Sequence, residues 1–190
     1  MTLNGKSPQR RSSAVSHNRN FVLLAELLLL FAGGLLASVL HAKLRIPLNM
    51  PGHHGIEFMG IFILIRLASN LRFAASMATL GTGIALLVPG IGAEDPLHSF
   101  SYLLPGIILD MIYPHLSQNT FRWLMIILLA GFAYASIPLS RLLVTLVSGF
   151  PYMAFFKYGA LYTTLSFFFF GMMGGLLGFG MEKARSLFNN

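Results

Sequence analysis

The chain has 190 residues, of which 55% are hydrophobic and only 10% are charged. An average soluble domain has about 25% charged residues, so this composition excludes a soluble globular enzyme. The apolar content also excludes a disordered chain. Cysteine is absent, which excludes a disulfide scaffold and any thiolate metal or nucleophile site. The net charge of +7 is expected to orient a membrane protein, and no nucleic-acid partner is expected.

Six apolar runs follow one another along the chain, and each is predicted to form a membrane-spanning helix. They cover residues 21–40, 56–68, 71–92, 100–113, 121–138 (or as far as 147) and 158–181. The sequence therefore predicts an all-α integral membrane protein, a single bundle of about six transmembrane helices within residues 21–182. The basic segment 1–20 and the segment 183–190 are expected to be cytoplasmic tails.

The Lys and Arg residues are unevenly distributed between the two sets of predicted loops. With the N-terminus inside, eight lie on the inner side: Lys6, Arg10, Arg11, Arg19, Arg72, Arg122, Lys183 and Arg185. Four lie on the outer side: Lys43, Arg45, Arg141 and Lys157. Since positively charged loops stay in the cytoplasm, both termini are predicted to be cytoplasmic in a multi-pass protein of the cell membrane.

Polar side chains gather in the loops predicted to lie outside. The first outer loop, residues 41–55, has two prolines and two glycines, which force a non-helical path. It carries His41, and Glu57 follows where the next helix begins; the second outer loop, residues 91–100, also carries Glu94. Loops on a rigid scaffold often bind ligands, so we predict a substrate site here. Its predicted residues are Asn49, His53, His54, Glu57, Asp95, His98, Tyr102 and Tyr152.

Two groups of side chains in these loops have more than one interpretation. The adjacent His53 and His54 either contact a ligand or metal, or only cap the following helix. Their spacing matches no zinc signature such as H-E-x-x-H, so neither a metal site nor a cofactor is predicted. The tyrosines near the outer boundary form either an interfacial belt or a stacking wall for a flat ligand. These tyrosines are Tyr102, Tyr152, Tyr158 and Tyr162.

Three charged residues, Glu26, Arg66 and Asp110, are predicted to lie within membrane spans. Asp110 is predicted to pair with Arg66, because an unpaired carboxylate inside a membrane is costly and both residues lie towards the inner half. Glu26 lies near the inner end of the first helix, where it either reaches the interface or meets Arg185.

Small residues recur at four-residue spacing, which lets helix backbones approach closely in a membrane. Gly33 and Ala37 form such a pair on the first predicted helix, and Ala74 and Ala78 form one on the third. The last helix carries two more pairs within the stretch GMMGGLLG at 171–178. These pairs either pack helices within the bundle or present a face to another membrane protein.

The six predicted helices, the Pro/Gly-rich first outer loop, YLLPGIILDMIYP at 102–114 and GMMGGLLG at 171–178 together resemble the S components of energy-coupling factor (ECF) transporters. The resemblance covers about residues 20–182. It implies a subunit that captures a vitamin or a metal ion at the outer surface and docks onto a transmembrane coupling protein carrying two ATPases. Members specific for nickel or cobalt have a His close after the initiator Met, and Met1-Thr2-Leu3 here argues against those ions.

The resemblance also implies where a partner binds. Docking in that family uses small residues on the first helix, so Gly33, Ala37, Ala74 and Ala78 are the predicted docking residues. No phosphate-binding loop of the form GxxxxGK[ST] is present, so the chain cannot hydrolyse ATP in that way by itself. The predicted partners are a small-molecule substrate, membrane lipids, the coupling protein and two ATPase subunits.

The predicted function is a non-enzymatic, high-affinity capture subunit for a vitamin-like small molecule. Two alternatives stay open at this stage. The first is an autonomous small permease or metal-ion transporter, which needs a polar path across the membrane. The second is an intramembrane enzyme that uses histidines and carboxylates of the outer loops.

Overall fold

A computed structural model describes residues 9–43, 49–88, 91, 96–116 and 121–188. Within these ranges the backbone forms eight helices and no strand, which confirms the all-α prediction. The helices are α1 (Gln9–Lys43), α2 (Gly55–Ala68), α3 (Ala74–Leu86), α4 (Pro96–Ser101), α5 (Leu103–Leu116), α6 (Arg122–Ser148), α7 (Met153–Tyr158) and α8 (Ala160–Phe188). The first helix begins at Gln9, well before the predicted start at residue 21, so it includes much of the basic N-terminal segment.

Three of the described helices are long and apolar enough to cross a membrane. They are the Arg19–Lys43 part of α1, α6 and α8. The helices α2, α3 and α5 have 14, 13 and 14 residues. At 1.5 Å per residue they are only about 20 Å long, against a hydrocarbon core of about 30 Å.

The apolar run at 100–113 does not form one helix, because a turn at Tyr102 separates α4 from α5. Pro105 explains the break: it has no N–H to donate to Ser101, and its ring would clash with the Ser101 carbonyl in a continuous helix. Pro105 lies in the first turn of α5, where a backbone N–H has no helical partner in any case, so the proline is tolerated there.

The helices pack around α2 and α8. Helix α8 contacts both α6 and α2, while α3 lies between α1 and α5. We call one end of the molecule the histidine end; it comprises residues 41–43, 49–57, 99–102 and 149–167. The opposite end, which comprises residues 66–76 and 110–113, is called the arginine end.

Glycines on α8 bring three helices into close contact. A Cβ atom at Gly174 would overlap the carbonyl oxygen of Gly55 on α2, and one at Gly178 would overlap that of Gly60. On the other face, a Cβ at Gly171 would lie 2.8 Å from the carbonyl oxygen of Ala130 on α6. The small-residue pairs of the last helix therefore pack helices of this chain against each other, one of the two roles considered for them.

The small residues predicted to dock a partner also lie between helices of this chain. Ala37, Ala74 and Ala78 are fully buried, so none of them is exposed to a second protein. A Cβ at Gly34 would overlap the carbonyl of Ala78, which shows how closely α1 and α3 approach. A Cβ at Gly33 would lie 2.9 Å from the Cδ1 atom of Ile65 on α2. The three alanines therefore serve contacts within this chain, whereas Gly33 is only partly buried.

The predicted ion pair between Arg66 and Asp110 is present at the arginine end, with an N–O distance of 3.3 Å. Asp110 also accepts hydrogen bonds from the backbone N–H of Ala75 at 3.2 Å and from the N–H and hydroxyl of Ser76, each at 2.7 Å. The carboxylate thus caps the N-terminus of α3, where unpaired N–H groups favour a negative charge. Arg66 in turn donates to the carbonyl of Leu71.

Glu26 makes a different contact from the one considered for it. It accepts a hydrogen bond of 2.7 Å from the hydroxyl of Ser69. Arg185 pairs instead with Glu182, three residues before it on α8, at 2.9 Å. The Ser69 contact connects α1 to the segment between α2 and α3.

Candidate functional site

Residues 49–54 close over the histidine end and are held by hydrogen bonds to distant segments. The Ser166 hydroxyl on α8 donates to the carbonyl of Pro51 at 2.6 Å. The Tyr158 hydroxyl on α7 donates to the carbonyl of Asn49 at 3.1 Å. Backbone groups that lack a helical partner are satisfied in this way, so the segment has a defined position on the helices below it.

Two glycines let this segment lie directly on aromatic rings. Gly52 has a φ of +77°, and a Cβ there would overlap the ring of Phe167. A Cβ at Gly55 would overlap the ring of Tyr134. The rings of Tyr134 and Phe167 stack at 4.8 Å with an interplanar angle of 19°. The Pro/Gly composition of the loop therefore serves a close approach between backbone and aromatic rings.

His41, His54 and Glu57 meet at this end, and we call them the His41–His54–Glu57 cluster. His41 lies in the last turn of α1, His54 precedes α2, and Glu57 lies in the first turn of α2. One imidazole nitrogen of each histidine and one carboxylate oxygen lie within 4.8 Å of one another. The two imidazole rings meet edge to face with centroids 3.9 Å apart.

Four polar atoms of this cluster are buried and have no hydrogen-bond partner. They are Nδ1 of His41, Nδ1 of His54 and both carboxylate oxygens of Glu57. Glu57 is only 8% exposed. Leaving one such atom unsatisfied costs about 1–3 kcal/mol, and native proteins tolerate few of them. The cluster therefore presents several lone pairs that a bound ligand would satisfy.

The imidazole of His54 is neutral at physiological pH. Burial, together with the neighbouring His41 and His53, lowers the pKa of His54 to about 3. Nδ1 of His53 lies 2.6 Å from the carbonyl oxygen of Met50. A carbonyl only accepts, so this nitrogen carries a proton and donates it to Met50. The His53 ring packs on His54 at 3.7 Å.

An open cavity of about 390 Å³ adjoins the cluster. This volume lies within the range of small-molecule sites. The side chains of Tyr102 and Tyr134 both lie at its wall. Its lining residues are His41, Asn49, Met50, Pro51, Gly52, His53, His54, Tyr102, Tyr134, Tyr152, Ala154, Tyr158 and Phe167.

A larger cavity of about 690 Å³ lies at the other end, between α6 and α8. Its lining includes Trp123 and Leu176 together with Glu182, whose partner Arg185 is 53% exposed. An exposed ion pair contributes little energy and little specificity. Two residues of this cavity's lining also have a buried polar atom without a hydrogen-bond partner, Nε of Arg122 and Oε2 of Glu182. Four such atoms gather in the His41–His54–Glu57 cluster beside the smaller cavity, so we assign the candidate site there.

The structure brings most of the predicted site residues together. Asn49, His53, His54, Tyr102 and Tyr152 line the cavity, and Glu57 belongs to the adjoining cluster. Asp95 lies outside the described residues. The backbone of His98 is in α4, and its side chain lies outside the described part of the chain.

The sequence pattern does not identify two residues of the site. His41 is not predicted to belong to it, because it is far from His54 along the chain and no motif connects them. Tyr134 lies in the middle of α6, inside an apolar run, where no loop signal marks it. Tyr162 is 46% exposed, as expected for an interfacial belt, whereas the cavity position of Tyr102 and Tyr152 favours a wall against a ligand.

Comparison of the chain with models of protein families, with curated proteins and with solved structures finds no match. The resemblance to ECF S components stays a prediction based on hydropathy, length and loop character.

Proposed function

We propose that this chain is a membrane-embedded subunit that captures a small solute at its histidine end for uptake. The observation that carries the proposal is the buried, unpartnered His41–His54–Glu57 cluster beside a tyrosine-lined cavity of about 390 Å³. In a chain so poor in polar groups, buried lone pairs without partners are costly unless they bind something.

The packing below the cavity favours a capture subunit over an open permease. Between Glu57 and Arg66, helix α2 buries Phe58, Phe62 and Ile63 in the core. Arg66 at the far side is already paired with Asp110. Along α2 these apolar side chains separate the cavity from Arg66, so we expect release of a solute to the other side to require a conformational change.

Such a change needs a source of free energy outside the ligand contacts, because a ligand shifts a conformational equilibrium only through its different affinity for the two states. We assign this role to a transmembrane coupling protein with two ATPase subunits, as the resemblance implies. Its docking face would use exposed surface and not the buried Ala37, Ala74 and Ala78.

The proposed topology has six passes through the cell membrane and both termini in the cytoplasm. The short helices α2, α3 and α5 are compatible with it because protein surrounds much of their length, as the buried faces of α2 and α3 illustrate. Irregular backbone at membrane depth is tolerated where it is buried in protein or lines a cavity. Residues 49–54, held by Ser166 and Tyr158, meet that condition.

The test begins with the solute that co-purifies with the wild-type protein in mild detergent, identified by mass spectrometry. His54→Ala should lose this solute, while His115→Ala should retain it. His115 is the matched control because it is an exposed histidine at the end of α5, remote from the cavity. Retention of the solute by His54→Ala at the wild-type level would overturn the assigned site.

A second experiment addresses dependence on a partner. Proteoliposomes that contain this chain alone, loaded without ATP, should bind the identified solute but should not concentrate it. Concentrative uptake under these conditions would contradict the capture-subunit proposal and would favour the autonomous permease. Chemical conversion of the solute by the purified protein would favour the intramembrane enzyme instead.

A further inference from the structure

We infer that His41, His54 and Glu57 form a binding site for one first-row divalent transition-metal ion of the Zn²⁺ type. The inference rests on the proposed function in one respect: the ion would lie at the wall of the same cavity and deepen the chemistry of that site. The sequence pattern alone did not predict it.

The donor set is the first argument. Two imidazole nitrogens and one carboxylate oxygen suit zinc and its first-row neighbours, whereas magnesium and calcium prefer oxygen donors alone. His54 has helical backbone angles (φ −65°, ψ −10°), so His54 and Glu57, three residues apart, share one face of the first turn of α2. His41 reaches the same point from the end of α1, as the contact between its ring and that of His54 shows.

The missing hydrogen bonds are the second, independent argument. Four buried atoms of this cluster, two imidazole nitrogens and two carboxylate oxygens, have no partner. A proton shared between Glu57 and one histidine would satisfy only two of them. One cation bound by both rings and the carboxylate satisfies the cluster and also neutralises the buried negative charge of Glu57.

The distances require only a small adjustment. Ligand atoms about 2.1 Å from a tetrahedral zinc ion are separated from each other by roughly 3.4 Å. The three donors lie within 4.8 Å of one another, so side-chain rotations that draw them closer by about 1 Å or more complete the site. Both histidines also line the cavity.

Three protein ligands leave a tetrahedral ion with one open position. Because His41 and His54 line the cavity, we assign that position to water or to a nitrogen or oxygen atom of the captured solute. His53 packs on His54, and its Nδ1–H donates to the carbonyl of Met50.

The test uses the full-length protein carrying a non-histidine affinity tag, freed of metal by EDTA and dialysis. Titration with Zn²⁺ by calorimetry should give one site per chain. Glu57→Gln and His54→Ala should each weaken Zn²⁺ binding by more than the roughly 10–100-fold that loss of an outer-shell partner costs. His115→Ala should bind Zn²⁺ as tightly as the wild type. Unchanged affinity in Glu57→Gln, or no binding by the wild type, would overturn the inference.

Two further readouts keep the test decisive if a variant folds poorly. The wild type should unfold at a higher temperature with Zn²⁺ than with EDTA, because an ion that binds only the folded state stabilises it. Co²⁺ in place of Zn²⁺ should give the visible absorption of a four-coordinate site, and that absorption should be lost in Glu57→Gln. The absence of both effects in the wild type contradicts the metal site.

The metal site and the proposed function can fail separately. A solute that stays bound after EDTA treatment of a protein that takes up no Zn²⁺ leaves the capture function standing and removes the metal site. Specific Zn²⁺ binding by a protein that retains no solute supports the metal site and removes the capture of an organic solute.

Discussion

The two ends of this molecule each bury one carboxylate, and they treat it in opposite ways. At the arginine end, Asp110 pairs with Arg66 and accepts three hydrogen bonds from Ala75 and Ser76. At the histidine end, Glu57 is almost equally buried, yet neither of its oxygens has a partner. Burial alone therefore does not mark a functional site.

The two carboxylates differ in whether the fold supplies their hydrogen-bond partners, and this difference separates a structural residue from a candidate binding residue. Asp110 connects α5 to the start of α3 and to α2, and its lone pairs are used by the fold itself. Glu57 has the imidazoles of His41 and His54 for neighbours and an open cavity beside the cluster. A buried acceptor that the fold leaves unsatisfied is costly, so it is retained where a ligand supplies the missing interaction.

The largest effect is expected at the arginine end. Asp110→Ala leaves Arg66 buried without its partner and removes the cap of α3. Loss of one member of a buried pair costs about 3–5 kcal/mol, so the protein should unfold at much lower temperature or aggregate on extraction. Thermal unfolding in detergent followed by circular dichroism measures this. A variant with wild-type stability would show that the network is dispensable.

A smaller loss is expected where the scaffold supports the histidine end. Gly174→Ala places a methyl group against the Gly55 carbonyl at the start of α2, and overpacking of this kind costs about 1–3 kcal/mol. Because α2 carries Glu57, solute and Zn²⁺ binding should weaken as well. Gly180→Ala is the matched control on the same helix: nothing lies within 4 Å of its added Cβ. Equal stability of the two variants would contradict the close α2–α8 contact.

Glu57→Leu should have little effect on the metal-free protein or should stabilise it by about 1 kcal/mol, because an unsatisfied buried carboxylate is replaced by an apolar group of similar size. This outcome is the reverse of that for Asp110 and tests the comparison most directly. The free energy of unfolding is measured in EDTA for both variants. Strong destabilisation by Glu57→Leu would mean that Glu57 has a structural partner after all.

The smallest effect is expected for the exposed pair on α8. Glu182→Gln removes the charge that faces Arg185, and exposed pairs of this kind contribute less than about 1 kcal/mol. The unfolding temperature should change by no more than its experimental error. A clear loss would indicate that the C-terminal part of α8 contributes more to the fold than its exposure suggests.

Local patterns were sufficient to predict the helices and one buried pair. Each apolar run contains a helix, although the run at 100–113 is divided between α4 and α5. The positions of Arg66 and Asp110 were enough to pair them, because few other charges are predicted within the membrane spans. The break at Tyr102 was not predicted, although Pro105 carries the signal for it. The docking assignment did not anticipate that Ala37 and Ala78 are buried, because four-residue spacing looks the same in an internal and an external contact.

The sequence by itself determined the helical class, the order of the apolar segments and the gathering of His53, His54 and Glu57 near one loop, since these depend on composition and on residues close together in the chain. Only the tertiary structure decided that His41 joins His54 and Glu57, that Tyr134 lines the cavity, and that one buried carboxylate is satisfied while the other is not. The physical reason is that a polar group finds its partners in space. Asp110 meets Ser76, which lies 34 residues earlier on another helix, and no local pattern records which distant groups the packing brings to it.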